Sequence, residues 1–229
     1  MSEIIRIDNR TWRIEDNGVR FFLLEGDTDA LVIDTGMNTP NAREIAEGLT
    51  TFPLHLLNTH ADPDHISGNE AFPAFYMSAA EYEFYRTVRK SDGTFLPVSD
   101  GDIIDLGNRP LKIIALAGHT PGSIAVLDVN ARVLIGGDSI QDGRIFMFGD
   151  RRNMALYIET LSDLWDRHWD EFDTVYPSHG SFSIQPEIIP KLIDGAKGIV
   201  SGKIPGKRVD FMGKSITVCD VGCATFLCK

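Results

Sequence analysis

The chain has 229 residues, 43% of them hydrophobic, and this length suits one large domain or two small ones with a buried core. Its formal net charge of −11 argues against a general nucleic-acid-binding or anionic-membrane-binding surface. No apolar segment reaches the roughly 20 residues of a membrane span, and no signal-peptide pattern opens the chain, so we expect a cytoplasmic protein.

The first half of the chain alternates strands with short helices. Apolar and β-branched runs bounded by turn residues predict strands at residues 4–7, 11–15, 19–25, 30–34, 54–58 and 74–78. Polar residues before Pro40 are typical of a helix start and predict an amphipathic helix from there to about Leu49. A short helix is expected after Asp64, and a longer one over residues 79–90.

The second half continues in the same way. Apolar runs predict strands at residues 103–106, 111–116, 124–128, 132–135 and 174–176. Helical periodicity predicts a helix over residues 153–168, and Pro186 is expected to start a last helix that ends near Val200. Because no change of composition marks a linker, we predict a single domain over residues 1–229.

Residues 208–229 are predicted to form two or three strands, as a C-terminal β extension. This stretch contains all three cysteines, Cys219, Cys223 and Cys228, and their odd number argues against a disulfide framework. We interpret them as buried thiols in a reducing compartment. The extension either covers a sheet or pairs two subunits through an edge strand, and the second role would give a homodimer.

A cluster of imidazoles and carboxylates follows the predicted strand at residues 54–58. Its members are His60, Asp62, Asp64 and His65. Pro63 biases Asp62 away from helical geometry, so a loop is expected here before any helix begins. Asp and His are both ligands for divalent metals, and alternate residues of an extended loop can converge on one point. The cluster indicates a metal site, with a hydrogen-bonded structural turn as the alternative.

Several other Asp and His residues share one feature with this cluster. Asp34, His119, Asp138 and His179 each lie just past the carboxyl end of a predicted apolar strand. Open α/β sheets place their ligand crevices at that edge. We therefore expect these side chains to converge although they are far apart in the sequence.

These residues resemble the signature of the metallo-β-lactamase superfamily. That signature is His-x-His-x-Asp-His, then a lone His, a bridging Asp and a final His, each ending a strand. The match spans about residues 19–180 and includes the turn from Asp34 to Gly36 after a buried strand. The resemblance implies an α/β fold, an αββα sandwich of two mixed β-sheets flanked by helices. It is similar to the glyoxalase II-like hydrolases rather than to the antibiotic-degrading lactamases.

Position by position, the resemblance implies two divalent metal ions. One would be held by His60, Asp62 and His119, and the other by Asp64, His65 and His179, with Asp138 bridging both. Zinc is expected, with manganese or iron as alternatives, because Asp62 stands where most members have a second histidine and makes the site harder and more anionic. Asp34 and Thr35 are expected to orient the ligands through hydrogen bonds.

The activity that the resemblance implies is hydrolysis of a small ester, thioester or lactone. By this resemblance, two bound cations would lower the pKa of a water that attacks the carbonyl, and Asp64 is expected to orient that water and to pass a proton to the leaving group. The same site would serve a phosphodiesterase. The carboxylate of Asp62 also resembles the flavodiiron branch, which has a glutamate there and performs redox chemistry. An inert metal-binding or ligand-sensing domain is a further alternative.

Residues 141–152, which follow the bridging position, are predicted to form a loop over the metals. Phe146, Met147 and Phe148 are candidates for an apolar wall against a small-molecule substrate, and Arg151 or Arg152 for contact with an anionic group. The alternative is that the aromatic side chains pack the loop against the core while the arginines are solvated.

Overall fold

The computed structural model describes residues 2–89, 93–211 and 213–229. The chain divides into two compact units, the first formed by Met1–Ile114 with Val126–Asn130 and the second by Ala115–Ala125 with Ala131–Lys229. The single domain over residues 1–229 stays a prediction. No helix within the described ranges is long and apolar enough to cross a membrane.

The first unit is built on a mixed seven-stranded sheet whose strands lie side by side in chain order. They are β1 (Glu3–Asp8), β2 (Thr11–Asp16), β3 (Val19–Glu25), β4 (Ala30–Ile33), β5 (Leu54–Leu57), β6 (Ala74–Ser78) and β7 (Thr94–Val98). Pairing is antiparallel from β1 to β4 and parallel from β4 to β7. Because β4 and β5 are parallel, Asp34 and the loop that contains His60 begin at the same edge of the sheet.

The first unit also contains two helices and two further strands. They are the helices α1 (Ala42–Glu47) and α2 (Ala79–Val88) and the antiparallel strands β8 (Ile103–Asp105) and β9 (Pro110–Ala115). All four residues of β4 are 0% exposed, as expected for a strand that is covered on both faces. β4 therefore gives the loop that begins at Asp34 a rigid base.

Three predictions for this unit need correction. α1 begins at Ala42 rather than Pro40 because the Ala42 amide bonds to the Thr39 carbonyl, three residues back, in a turn. The short helix expected after Asp64 is replaced by two 3₁₀ turns, Pro63–His65 and Asn69–Ala71. β7 was not predicted; it is an edge strand, where the missing N–H of its proline is tolerated. The predicted end of α2 at Lys90 lies outside the described residues.

The second unit contains a parallel strand pair, a four-stranded sheet and two helices. The pair is β11 (Val133–Gly137) with β13 (Thr174–Pro177). The sheet has the order β12 (Arg144–Met147), β16 (Thr225–Cys228), β15 (Lys214–Asp220) and β14 (Lys207–Phe211). The helices are α3 (Met154–His168) and α4 (Ile188–Val200), and β10 (Ile124–Asp128) runs across the boundary between the units in the sequence. The predicted C-terminal strands are therefore present, and they share a sheet with β12.

The cysteines of this extension are free thiols, of which Cys219 is buried and Cys228 half-buried. Burial raises the pKa of the Cys228 thiol to about 12, and the neighbouring Cys219 contributes to the increase. A raised pKa keeps the thiol protonated in the folded state. Its contribution to stability is therefore present below the pKa of the unfolded thiol and is lost as the pH rises toward 12.

We expect Cys228 to react with iodoacetamide at pH 8 about a thousandfold more slowly in the folded chain than in the unfolded chain, because only the thiolate attacks. Mass spectrometry of timed digests, with and without denaturant, measures the two rates. Equal rates in the two states would contradict the buried, protonated thiol.

Candidate functional site

The first His/Asp set, which comprises His60, Asp62, Asp64 and His65, occupies the loop after β5. Asp62 is extended, with φ −66° and ψ 146°, as the following proline predicts. His60 Nε2 lies 3.6 Å from Asp62 Oδ2, and His65 Nε2 lies 3.7 Å from Asp64 Oδ2. The two imidazole rings are 4.1 Å apart between centroids. The side chains of this loop thus converge in pairs of one nitrogen and one oxygen.

The nitrogen–oxygen separations in these pairs are informative. They exceed the usual 2.7–3.2 Å of a hydrogen bond. Two donor atoms that each lie about 2.1 Å from one tetrahedral cation are about 3.4 Å apart. The imidazole–carboxylate spacing in this set therefore fits a shared divalent metal, and imidazole nitrogen with carboxylate oxygen is a donor combination that zinc, manganese and iron accept.

Asp34 bonds to His65 directly and to His60 through Thr59. Its carboxylate accepts the Thr59 amide at 2.8 Å and the Thr59 hydroxyl at 2.7 Å, and it lies 2.8 Å from His65 Nδ1. Since the Thr59 hydroxyl donates to Asp34, it accepts from His60 Nδ1, which is 3.0 Å away. Both rings then carry their proton on Nδ1 and present the lone pair of Nε2 on the side of the carboxylates.

The backbone of Asp34 supports the same conclusion. Its φ of 65° lies in the left-handed region, which non-glycine residues rarely adopt. The side chain is 2% exposed, so its hydrogen bonds form away from water. A strained, buried aspartate that bonds to the ligand-bearing loop is typical of a functional site. Asp34 thus lies where the sequence predicted a supporting residue.

Thr35 and Asn58 hold the carbonyl end of His65, and Asn69 bonds to Thr35; the sequence did not single out the two asparagines. The Thr35 amide and the Asn58 side chain donate to the His65 carbonyl at 2.9 and 3.0 Å. Asn69 accepts from the Thr35 hydroxyl at 2.9 Å. Asn58 and Thr59 directly precede His60, so their position in the sequence could have identified them as supporting residues. Nothing in the sequence around Asn69 indicated such a role.

The second His/Asp set, which comprises His119, Asp138 and His179, lies in the second unit. Asp138 follows β11 and His179 follows β13, and these strands are parallel. Asp138 Oδ2 lies 3.6 Å from His119 Nε2, and Asp138 Oδ1 lies 3.3 Å from His179 Nε2. The two oxygens of one carboxylate thus face two different imidazoles, which is the geometry that a bridging ligand needs.

The turn before His119 packs tightly against α3. Gly118 has φ 139°, and a Cβ at this position would lie 2.4 Å from the Tyr157 Cα. The Asn153 amide donates to the Gly118 carbonyl at 2.8 Å. The Tyr157 hydroxyl donates to the Ser139 carbonyl at 2.8 Å, directly after Asp138. α3 therefore supports both the turn before His119 and the turn after Asp138.

The segment predicted as a substrate loop is partly a strand. Residues 144–147 form β12 because they pair with β16, about eighty positions away, so the prediction of a continuous loop is wrong there. Phe146 and Phe148 are half-buried and form an aromatic cluster with Phe211 of β14, with centroid separations of 5.7–6.0 Å. Arg152 donates to the Phe146 carbonyl at 3.1 Å, and Arg151 is half-buried. Substrate contact by these residues stays a prediction.

Comparison with known proteins identifies the family. The model of the metallo-beta-lactamase superfamily matches residues 15–179, which is more than half of the chain and includes both His/Asp sets. The chain belongs to the metallo-β-lactamase superfamily. The resemblance seen in the sequence is thereby confirmed, and so is the prediction of a hydrolase of this superfamily.

Two curated relatives are similar to this member of the superfamily over most of its length. The acyl-coenzyme A thioesterase MBLAC2 of Homo sapiens is 27% identical over 206 residues, which cover 71% of this chain and 73% of the relative. A hydroxyacylglutathione hydrolase of Gloeobacter violaceus is 29% identical over 163 residues, which cover 69% of this chain and 60% of the relative. The chain thus spans less than two thirds of the second relative.

Solved structures confirm the predicted fold class. A metallo-β-lactamase from Pontibacter korlensis matches with a TM-score of 0.72 at 17% identity, over 86% of this chain and 99% of that one. The sec-alkylsulfatase Pisa1 from Pseudomonas sp. matches with a TM-score of 0.74 at 10% identity, over 88% of this chain and 42% of that one. At these identities the likeness concerns the fold alone.

Proposed function

We propose that this chain is a dinuclear metal-dependent hydrolase of thioesters. The two His/Asp sets would together hold two divalent ions, with the ligands as follows: His60, Asp62 and His119 for one, Asp64, His65 and His179 for the other, and Asp138 for both. The observation that carries the proposal is the imidazole–carboxylate spacing of 3.3–3.7 Å within each unit, which fits donors to a shared cation.

The chemistry of the relatives favours thioesters over the other substrates. By their names, the relative from Homo sapiens and the one from Gloeobacter violaceus both act on an acyl group bound to sulfur. A thiolate is a good leaving group because thiols have a pKa near 8.5. A carboxylate relay is therefore sufficient to assist its departure, and a strong general acid is not required.

Each part of the chain has a defined task in this mechanism. When bound, two divalent cations lower the pKa of water and polarise an acyl carbonyl. The carboxylates of Asp62, Asp64 and Asp138 offset the charge of the cations, so that no large uncompensated charge is buried. Asp34 and Thr59 keep the protons of both histidines on Nδ1.

Asp64 is the residue to which we assign proton transfer. Its side chain is 23% exposed, whereas those of His60 and His65 are 1% and 0% exposed. The Asp64 carboxylate is therefore the most exposed side chain of the first His/Asp set, ahead of Asp62 at 15%. It would accept a proton from the attacking water and pass it to the departing sulfur.

The phenylalanine cluster of Phe146, Phe148 and Phe211 is proposed as the wall for the acyl group. Gln141 donates to the carbonyls of Asp138, at 3.4 Å, and Arg144, at 3.1 Å, so β12 starts close to the second His/Asp set. Ile145 and Met147 point into the core, which leaves Phe146 on the opposite face of the strand. An apolar acyl chain fits this face.

We expect Phe211→Ala to lower kcat/KM for an octanoyl thioester about tenfold while changing that for an acetyl thioester less than twofold. Only the longer chain would lose aromatic contact, which is worth about 1.4 kcal/mol. Steady-state kinetics on a series of acyl lengths measures this. Trp169→Ala, which removes an exposed aromatic of the same unit, serves as control. An equal loss at every acyl length would contradict the acyl wall.

The proposed activity is tested with the metal-loaded chain. Acyl-coenzyme A and acylglutathione thioesters are compared with bis-p-nitrophenyl phosphate, and loss of thioester absorbance is followed. We expect kcat/KM for the best thioester to exceed that for the phosphodiester at least tenfold. A preference for the phosphodiester would overturn the substrate class. Bound metal without turnover of any substrate would point to an inert binding domain.

A di-iron oxidoreductase is the second candidate, and Asp62 is the observation that favours it. A carboxylate at this position makes the proposed site harder and more anionic, which improves tolerance of iron. The metal content of the purified chain separates this candidate from the hydrolase.

A further inference from the structure

Glu81, in the first turn of α2, is a buried carboxylate three residues after the N-cap residue Ser78. Its side chain is 0% exposed. Burying a carboxylate is costly unless it is bonded to groups that compensate its charge. Glu81 Oε2 accepts the backbone amide of Ala61 at 2.9 Å, across 20 positions in the sequence. The bond partner is the residue between two members of the first His/Asp set.

Ala61 is fixed on two sides. Its side chain is 0% exposed and belongs to the hydrophobic core of the first unit, together with Val32 and Leu56. Its N–H is held by Glu81. The backbone between His60 and Asp62 is therefore held in one position. The Nε2 atom of His60 and the Oδ2 atom of Asp62 lie 3.6 Å apart.

We infer that Glu81 is a positioning residue for the metal that His60 and Asp62 would hold. By fixing the Ala61 amide, its carboxylate sets the spacing of these two ligands. The inference rests on the proposed dinuclear site. Position matters here because aspartate is short and has only two side-chain torsions, so a displaced backbone at Asp62 cannot be corrected by a longer reach.

The other half of the first His/Asp set is held differently. His65 Nδ1 lies 2.8 Å from Asp34, and the His65 carbonyl accepts from Thr35 and Asn58. None of these bonds involves Glu81. Loss of the Glu81 carboxylate should therefore weaken the binding of one metal ion and leave the binding of the other unchanged. General destabilisation of the unit would weaken both.

The test compares wild type with Glu81→Leu, which removes the acceptor, and Glu81→Gln, which keeps one acceptor oxygen. Stepwise Zn²⁺ affinities are measured by competition with a chromophoric chelator. We expect one of two dissociation constants to rise 10- to 100-fold in Glu81→Leu, with the other changed less than threefold. Glu81→Gln should lie between, and it provides the measurement if the leucine variant fails to fold.

Hydrogen exchange of the Ala61 amide in metal-free protein gives an independent readout. We expect protection in wild type and its loss in Glu81→Leu. Phe75→Leu is the matched control. Phe75 packs on Tyr85 of α2, with ring centroids 4.7 Å apart, so its replacement should destabilise the same unit without removing the Glu81 carboxylate. It should leave Ala61 protection and the ratio of the two affinities unchanged.

Three results would overturn the inference. If Glu81→Leu weakened the binding of both ions equally, or of neither, the proposed function would stand and the positioning role would be refuted. An Ala61 amide that stays protected in Glu81→Leu would do the same. A wild-type chain that takes up no metal would overturn the proposed function and, with it, this inference.

Discussion

Asp138→Ala should lose most of its bound metal and nearly all hydrolytic activity. In the second unit, the two oxygens of Asp138 face His119 at 3.6 Å and His179 at 3.3 Å, and its side chain is only 6% exposed. If Asp138 bridges two cations, alanine leaves both with less compensating charge. Removing one partner of a buried charge pair costs about 3–5 kcal/mol, or more than a hundredfold in affinity.

Plasma mass spectrometry of the purified variant measures the loss directly. Asp163→Ala is a suitable control, because Asp163 is 68% exposed and pairs only loosely with Arg167, at 3.3 Å, in the same unit. The control should keep wild-type metal content and activity. Full occupancy in Asp138→Ala would refute the assignment of a bridging carboxylate.

Gly118→Ala should destabilise the fold and displace His119. A Cβ at this position would lie 2.4–2.6 Å from the backbone and Cβ of Tyr157, where nothing can move without shifting α3. Its φ of 139° adds a conformational cost for alanine. Overpacking of this kind costs about 1–3 kcal/mol beyond the backbone cost. Because His119 is the next residue, weaker metal binding should accompany the lower stability.

Gly149→Ala separates the two contributions. Gly149 also has a positive φ, of 107°, but a Cβ there meets no atom within 4 Å. The free energy of unfolding of this variant should fall only by the conformational cost of alanine at a positive φ, about 1–2 kcal/mol. Urea unfolding of both variants measures the difference. Equal destabilisation would show that contact with Tyr157 is not what requires glycine before His119.

The members of the two His/Asp sets were predictable because each follows a strand with an obvious apolar pattern. The edge of a parallel sheet brings such positions together whatever their sequence separation, as Asp34 and His65 show. The left-handed conformation of Asp34 was not predictable from its residue type. It persists because Thr59 and His65 bond to its carboxylate.

Other features depended on distant parts of the chain and left no local pattern. β12 was mistaken for a loop because it is a strand only through pairing with β16, and Phe211 reaches Phe146 only once β14 has formed. Glu81 looked like any polar residue in the first turn of a helix. Its burial and its bond to Ala61 depend on how α2 packs, which sequence periodicity does not specify.

The proposed function requires that this chain bind two catalytic metal ions. The decisive experiment is metal content by plasma mass spectrometry, on protein purified without added metal or chelator. We expect about two zinc or manganese ions per chain. Two irons would move the redox candidate ahead of the hydrolase. A chain without bound metal, which takes up none on reconstitution, would refute the dinuclear site.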